Sequence, residues 1–281
     1  MLGFIGLGMM GAPMAGSLVA KGFGVLTHDA AGVRVEGARS ATHAGAVAEA
    51  CETVILMLPD SAAVGSVLTV ILPALRANAV VIDMGSSDPA ETRHWAQLLS
   101  DRGASLLDAP VSGSVPKARA GTLSIMVGGE EEAFQRAEPV LRAMGETIIR
   151  TGAAGSAHAM KALNNYVYAA GLLAVSEAAM MAERLGLDQA VFAQVLNASS
   201  GRNVATETKL AQEITSRRYA GGFQLGLMRK DLATVASIAR ETGVQADALA
   251  LCRALWDEAV AARGARADNT EIHRFLEERT E

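Results

Sequence analysis

Cysteine is scarce in this chain: only Cys51 and Cys252 occur among 281 residues. They lie far apart and match no metal or redox spacing, which excludes a cysteine-built centre and predicts two small buried thiols in a reducing, cytoplasmic compartment. Basic runs are missing too, and the net charge of −5 is unpatterned. Without a positive stripe to track phosphate backbones, nucleic acid is not an expected partner. Residues 1–20 carry no charge, but five glycines and Pro13 interrupt them and they include no basic n-region. They therefore read as a buried strand and helix, not as a leader or a membrane span. The apolar stretch Tyr166–Val175 is too short to cross a bilayer, so no membrane is expected. There is no internal repeat or low-complexity tract, and at about 150 residues per domain the length predicts two domains.

What is present begins at once. Leu2-Gly3-Phe4-Ile5 runs into Gly6-Leu7-Gly8-Met9-Met10-Gly11, a G-x-G-x-x-G loop where a first strand would meet a helix. The first glycine allows the tight turn, the second lets backbone approach a pyrophosphate, and the third permits close strand–helix packing. A chain with 28 glycines produces such spacing by chance, so context has to carry the signal. Here it does. A helical stretch Ala12–Lys21 follows, ended by Gly22, and Val25–His28 reads as a second strand finishing at Asp29. An acidic residue about 20 positions after the glycines suits a ribose 2′-hydroxyl, although Asp29 could also be a solvated loop carboxylate. No Arg or Lys follows it until Arg34, so a 2′-phosphate would meet a carboxylate without an adjacent guanidinium. The expected cofactor is NAD, with NADP disfavoured by charge repulsion.

Up to about Gly152, β-rich runs alternate with helical segments: Val54–Met57, Val80–Asp83, Ser105–Leu107, Leu123–Val127 and Thr147–Ile149. This alternation predicts an α/β fold with an N-terminal, Rossmann-type doubly wound sheet. Ligands bind beyond the carboxyl ends of such strands, so three loops become candidate pocket walls. They are Leu58-Pro59-Asp60, Gly85-Ser86-Ser87 and Asp108–Gly113, with Leu58, Pro59 and Ser86 assigned to the cofactor together with Gly6, Gly8, Met9, Met10, Gly11 and Asp29. After Gly152 the pattern changes. Ser156 to about Leu185 forms one long helical stretch, followed by helical segments at Leu187–Ala198, Glu207–Arg217, Gln224–Thr242, Gln245–Arg263 and Thr270–Arg279. The expected division is residues 1–154 for the dinucleotide-binding domain and 155–281 for an all-helical domain joined by the long helix. That helix is apolar all round near Ala169–Val175, which predicts burial between domains or subunits.

Chemistry concentrates in Gly155–Asn165. Lys161 and Asn165 are four apart and project from one helical face, where an ammonium beside a carboxamide suits a hydroxyl-bearing substrate. A lysine near a helix start is otherwise a surface group. Here Ala159, Met160, Ala162 and Leu163 are apolar, and desolvation by such surroundings would favour a neutral lysine able to carry a proton. His158 is not needed as a second proton carrier and reads as a packing or surface group. Asp231 pairs with Lys230 or caps a helix, and Arg202 with Asn203 shapes a turn or meets a partner subunit.

The residues together resemble the β-hydroxyacid dehydrogenases, the group that contains 3-hydroxyisobutyrate dehydrogenase and tartronate semialdehyde reductase. The resemblance rests on four ordered blocks: Phe4–Gly11, Asp108–Gly113 with Ala120–Leu123, Gly155–Asn165, and Lys230-Asp231-Leu232. It implies that Ser112 holds substrate, that Lys161 is the acid/base supported by Asn165, and that Lys230 reaches the cofactor and substrate cleft. Ser112 with the Gly113 amide would anchor a substrate carboxylate. The implied reaction is reversible hydride transfer between NAD and the hydroxyl carbon of a short β-hydroxy acid, in a homodimer or homotetramer. A semialdehyde reductase or serine dehydrogenase of the same group, and a non-catalytic NAD-binding protein, are the alternatives. Ser114 and Lys117 stand where many members carry glycine. Lys117 is either an extra ammonium favouring a more anionic substrate or a solvated loop residue.

Overall fold

A computed structural model describes residues 1–280, which fall into two compact units, Met1–Lys161 and a second beginning at Ala162. The first unit alternates strands and helices as β1 (Leu2–Ile5), α1 (Gly11–Ala20), β2 (Val25–His28), β3 (Arg39–Ser40), α2 (Ala44–Ala50), β4 (Thr53–Leu56), α3 (Ser61–Ile71), β5 (Val80–Asp83), α4 (Pro89–Ser100), β6 (Ser105–Asp108), β7 (Val111–Ser112), α5 (Val115–Ala120), β8 (Leu123–Gly128), α6 (Glu131–Met144) and β9 (Gly145–Gly152). The sheet order is β3-β2-β1-β4-β5-β6-β8-β7, with β9 on β8. From β1 the chain winds outward through β2 and β3, then returns to place β4 on the other side of β1. The order therefore reverses between β1 and β4, the position at which a doubly wound sheet opens a crevice.

Strands in this sheet are buried on both faces, which is why they read as continuous apolar runs. Phe4, Ile55, Ile82 and Leu107 point into one core with Met14, Leu18 and Leu141, while Ile5, Leu56, Val81 and Leu106 point into another with Val47, Leu68 and Leu99. Alternate residues thus serve opposite faces. Burial of each such side chain is worth roughly 1.5–3 kcal/mol. The strands from β3 to β6 pair in parallel as expected, but β8 runs antiparallel to β6 and β7. Boundaries differ from expectation by a few residues. The strand expected over Val54–Met57 is Thr53–Leu56, and the one over Thr147–Ile149 extends over Gly145–Gly152.

The long helix α7 spans Ser156–Arg184 with neither proline nor a break at Gly171. The second unit continues with α8 (Gln189–Ala198), a wider-wound helical segment at Thr206–Thr215, α9 (Leu225–Thr242), α10 (Asp247–Arg263) and α11 (Glu271–Glu278). It is helical as expected, built around Leu172, Leu210, Met228, Leu232, Trp256 and Phe275. Within Ala169–Val175, four residues enter this core while Ala174 is exposed, so the stretch is not buried all round. Among the described residues no helix is long and apolar enough to cross a membrane.

Both cysteines are free and buried, and burial pushes the thiols up, Cys252 to about 11. Since the thiolate is the nucleophile, iodoacetamide at about pH 8 is expected to label neither in the native protein and both in guanidinium. Labelling of the native protein at the rate of a free thiol would contradict the packing around them.

Candidate active site

The glycine-rich loop leaves β1 through Gly6, whose φ of 96° favours glycine and whose N–H donates to the His28 carbonyl at 3.0 Å. A β-carbon there would strike the Met57 carbonyl, and one at Gly11 would strike the Gly6 carbonyl, so the first and third glycines are demanded by close backbone approach. At Gly8 a β-carbon would meet nothing within 4 Å. This open side, flanked by exposed Met9 and half-buried Met10, lies before α1, which has no side-chain cap and no acidic residue in its first turn. An anion there would meet helix N–H groups and the positive end of the helix dipole.

Asp29 ties this loop to the end of β2. Its Oδ2 accepts from Leu7 N at 2.8 Å, and its Oδ1 accepts from Ala31 N at 2.9 Å and Val33 N at 3.3 Å. A carboxylate offers about four acceptor positions, so three bonds leave about one for a hydroxyl. The residues present fit a dinucleotide.

The carboxyl ends of the central strands hold the other loops. Leu58 and Pro59 follow β4, and Asp60 then caps α3 by accepting from Ala63 N. After β5, buried Asp83 accepts from Gly85 N at 2.9 Å and from the Ser87 hydroxyl at 2.6 Å, which shapes the turn carrying half-buried Ser86. After β6, Ser112 lies half-buried in β7 opposite Ser124. Gly113 is exposed at φ 142°, where a β-carbon would meet Leu123 Cδ2 at 2.8 Å and Lys117 Cδ at 3.3 Å. Lys117 is exposed and packs its stem against that glycine.

Fully buried Asp108, at the end of β6, holds the start of α7. Its Oδ1 accepts from Gly155 N at 2.9 Å, and its Oδ2 accepts from Ala157 N at 2.8 Å and His158 N at 3.0 Å. These are N–H groups a helix start leaves without intrahelical partners. His158 is fully buried, with Nδ1 2.8 Å from the Thr92 hydroxyl on α4, so it is a packing group as expected. Lys161 follows one turn later and is half-buried. The apolar sheath expected around it is not formed by its sequence neighbours. Met160 is 49% and Leu163 43% exposed, because residues one before and two after Lys161 point away from its side of the helix. Of those four neighbours, only Ala162 is buried.

In the second unit, Asn165 occupies the next turn of α7. This buried amide donates from Nδ2 to Asp231 Oδ2 at 2.5 Å, and its Oδ1 accepts from Asn164 Nδ2 at 3.2 Å. Lys230 Nζ lies 3.5 Å from Asp231 Oδ1. Asp231 thus joins Asn165 to Lys230, a role the sequence reading missed because the partners are 66 residues apart. The Lys-Asp adjacency signalled only half of it. Arg202 pairs with Glu207, while Asn203 Oδ1 accepts from Ala205 N, so this loop shapes its own turn.

Residues 1–152 match a family model described as the NAD binding domain of 6-phosphogluconate dehydrogenase. Residues 155–276 match one described as NAD-binding of NADP-dependent 3-hydroxyisobutyrate dehydrogenase. A 3-hydroxyisobutyrate dehydrogenase of Pseudomonas aeruginosa is 38% identical over 259 residues, covering 87% of this chain and 86% of the relative. A 2-(hydroxymethyl)glutarate dehydrogenase of Eubacterium barkeri is 32% identical over 287 residues, covering 99% and 95%. Among solved structures, the Mycobacterium tuberculosis 3-hydroxyisobutyrate dehydrogenase with L-serine is 33% identical, superimposes with a TM-score of 0.92 and covers 98% of both chains.

Replacing Asp231 with leucine is expected to strand the buried Asn165 amide and cost about 1–3 kcal/mol, read as a lower melting temperature. Asp231→Asn keeps an acceptor for Asn165 and should lose less. Equal melting of wild type and Asp231→Leu would remove Asp231 from the hold on Asn165.

Proposed function

This chain belongs to the β-hydroxyacid dehydrogenase family, and we propose that it oxidises a short β-hydroxy acid of the 3-hydroxyisobutyrate kind to the semialdehyde, reversibly and with NAD preferred over NADP. The observation that carries this reading is the position of Lys161. It stands one turn beyond the point where the start of α7 is gripped by Asp108 at the carboxyl end of β6. Ligands bind beyond such ends. When bound, the nicotinamide supplies the hydride acceptor and donor. Lys161, neutral in oxidation, removes the proton of the substrate hydroxyl, and in reduction its ammonium returns that proton. Asn165, with one amide hydrogen held by Asp231, keeps a second to orient the hydroxyl oxygen. Ser112 and the Gly113 N–H anchor the substrate carboxylate. The loop Gly6, Gly8, Met9, Met10 and Gly11, with Leu58, Pro59, Ser86 and Lys230, holds the cofactor.

The preference for NAD rests on Asp29, whose charge opposes a 2′-phosphate, against a helical-domain family model described from an NADP-dependent enzyme. With both thiols free, the proposal includes a reducing, cytoplasmic setting. Met160, Leu163 and Val167 form an exposed apolar row on α7, which supports a homodimer or homotetramer.

Initial rates with NAD and NADP against 3-hydroxyisobutyrate, 2-(hydroxymethyl)glutarate, glycerate, 3-hydroxypropionate and L-serine test the reaction. We expect one acid to dominate, and Lys161→Ala to lower its turnover by about 10²–10⁴-fold with NAD binding retained. An active Lys161→Ala, or NAD binding without turnover of any acid, sinks the assignment. Asp29→Asn should narrow the ratio of NAD to NADP efficiency; an unchanged ratio means that another group selects the cofactor.

A further inference from the structure

Two holds on the first turn of α7 end just before Lys161. The Asp108 carboxylate bonds backbone N–H groups close to the helix axis, which fixes how far α7 stands from the sheet. Rotation about the axis needs a grip at larger radius, and the His158 ring provides one by reaching Thr92 on α4. Thr92 Oγ1 also lies 2.9 Å from the Asp88 carbonyl, so the hydroxyl is fixed on its own helix as well. Which of Thr92 Oγ1 and His158 Nδ1 supplies the hydrogen between them follows the tautomer of the ring, and either way the contact joins the ring to α4. On the other side, Nε2 faces Asp83 Oδ2 at 3.8 Å, and that carboxylate orders the turn carrying Ser86. Three residues on a helix advance about 300°, so Lys161 leaves α7 within about 60° of the direction of His158. A ring fixed against α4 thus fixes the side on which Lys161 emerges.

We propose that Asp108, His158 and Thr92 are positioning residues for Lys161, the carboxylate setting the height and the His158–Thr92 bond the rotation of the turn that presents its amine. This rests on the acid/base role given to Lys161 above. A displacement of about 1 Å at a catalytic group can cost about 10²-fold in rate.

Thr92→Val is the first variant to make, because it removes only a hydroxyl, at a position the mechanism does not use. With the hydroxy acid turned over fastest in the panel, kcat should fall about 10–10²-fold. KM for NAD should stay unchanged, and the primary deuterium isotope effect on kcat should rise as hydride transfer slows. His158→Leu should behave alike, and the double variant should lose no more than the worse single one, since both break one bond. His158→Asn offers an amide that can donate or accept where Nδ1 stood and should restore most of the rate. Independently of turnover, amide hydrogen exchange over residues 155–165 should quicken in Thr92→Val and His158→Leu but not in His158→Asn.

A loss of rate that follows only the melting temperature, with the isotope effect unmoved, would mean that these residues are merely structural. A fully active Lys161→Ala removes the acid/base reading and this inference with it. An inactive Lys161→Ala beside a Thr92→Val as fast as wild type overturns the positioning role alone.

Discussion

A carboxylate buried at the carboxyl end of a parallel strand is the contact on which the rest of this site depends. Asp83 and Asp108 are register partners on adjacent strands, both out of water. Two such charges side by side repel each other and each has given up its hydration, so neither is tolerable without donors aimed at it. Asp108 finds them in three N–H groups at the start of a 29-residue helix, where the macrodipole adds attraction. Asp83 finds them in the turn that follows its own strand. The need for donors at the first carboxylate brings the start of α7 to the sheet, and the need at the second folds the Ser86 turn back on itself. Chemistry-bearing residues arrive at the strand ends as the consequence of an electrostatic demand, each bond to a charged acceptor being worth roughly 1.5–3 kcal/mol.

The start of α1 inverts that arrangement. Asp60, Asp88 and Asp188 cap α3, α4 and α8 with their own side chains, whereas α1 opens on three glycines with neither a cap nor an acidic first turn. Gly6 and Gly11 are forced by backbone contact and Gly8, between them, leaves space. A carboxylate placed there would occupy the position of a phosphate and neutralise the field that attracts it. Asp29 instead takes hold of the loop through Leu7 N, at the end of β2, and is not a cap of α1.

Signals carried by a few neighbouring residues were legible in the sequence. The glycine loop, the apolar strands and the change to an all-helical half each rest on local spacing, and each stands in the structure. Two-residue strands such as β3 and β7 have no periodicity to detect, and the antiparallel direction of β8 is a property of its partners rather than of its own residues. The surroundings of Lys161 differ from the expected apolar sheath for a related reason. Apolar residues adjacent in sequence are about 100° apart around a helix, so Met160 and Leu163 can face solvent while Lys161 is half-buried. In sequence Asp108 reads as part of a loop after a strand, but its partners lie 47 to 50 residues onward, and nothing local announces such a contact.

Four aspartates share one function across both units. Asp29 holds the glycine loop, Asp83 the Ser86 turn, Asp108 the first turn before Lys161, and Asp231 the amide of Asn165. An ionised carboxylate only accepts, and can take several donors at once, so it can gather N–H and O–H groups of backbone and side chains. An asparagine in the same shape would turn an NH₂ group toward a donor wherever both oxygens face N–H groups. At Asp29 and Asp108, whose two oxygens both face backbone N–H groups, the amide is therefore isosteric without being conservative. The groups assigned to react are lysine, serine and carboxamide, and the groups that aim them are buried or half-buried acids. Separating the two tasks lets the reacting side chains differ in protonation or contact during a cycle while the acids beneath them keep the same bonds.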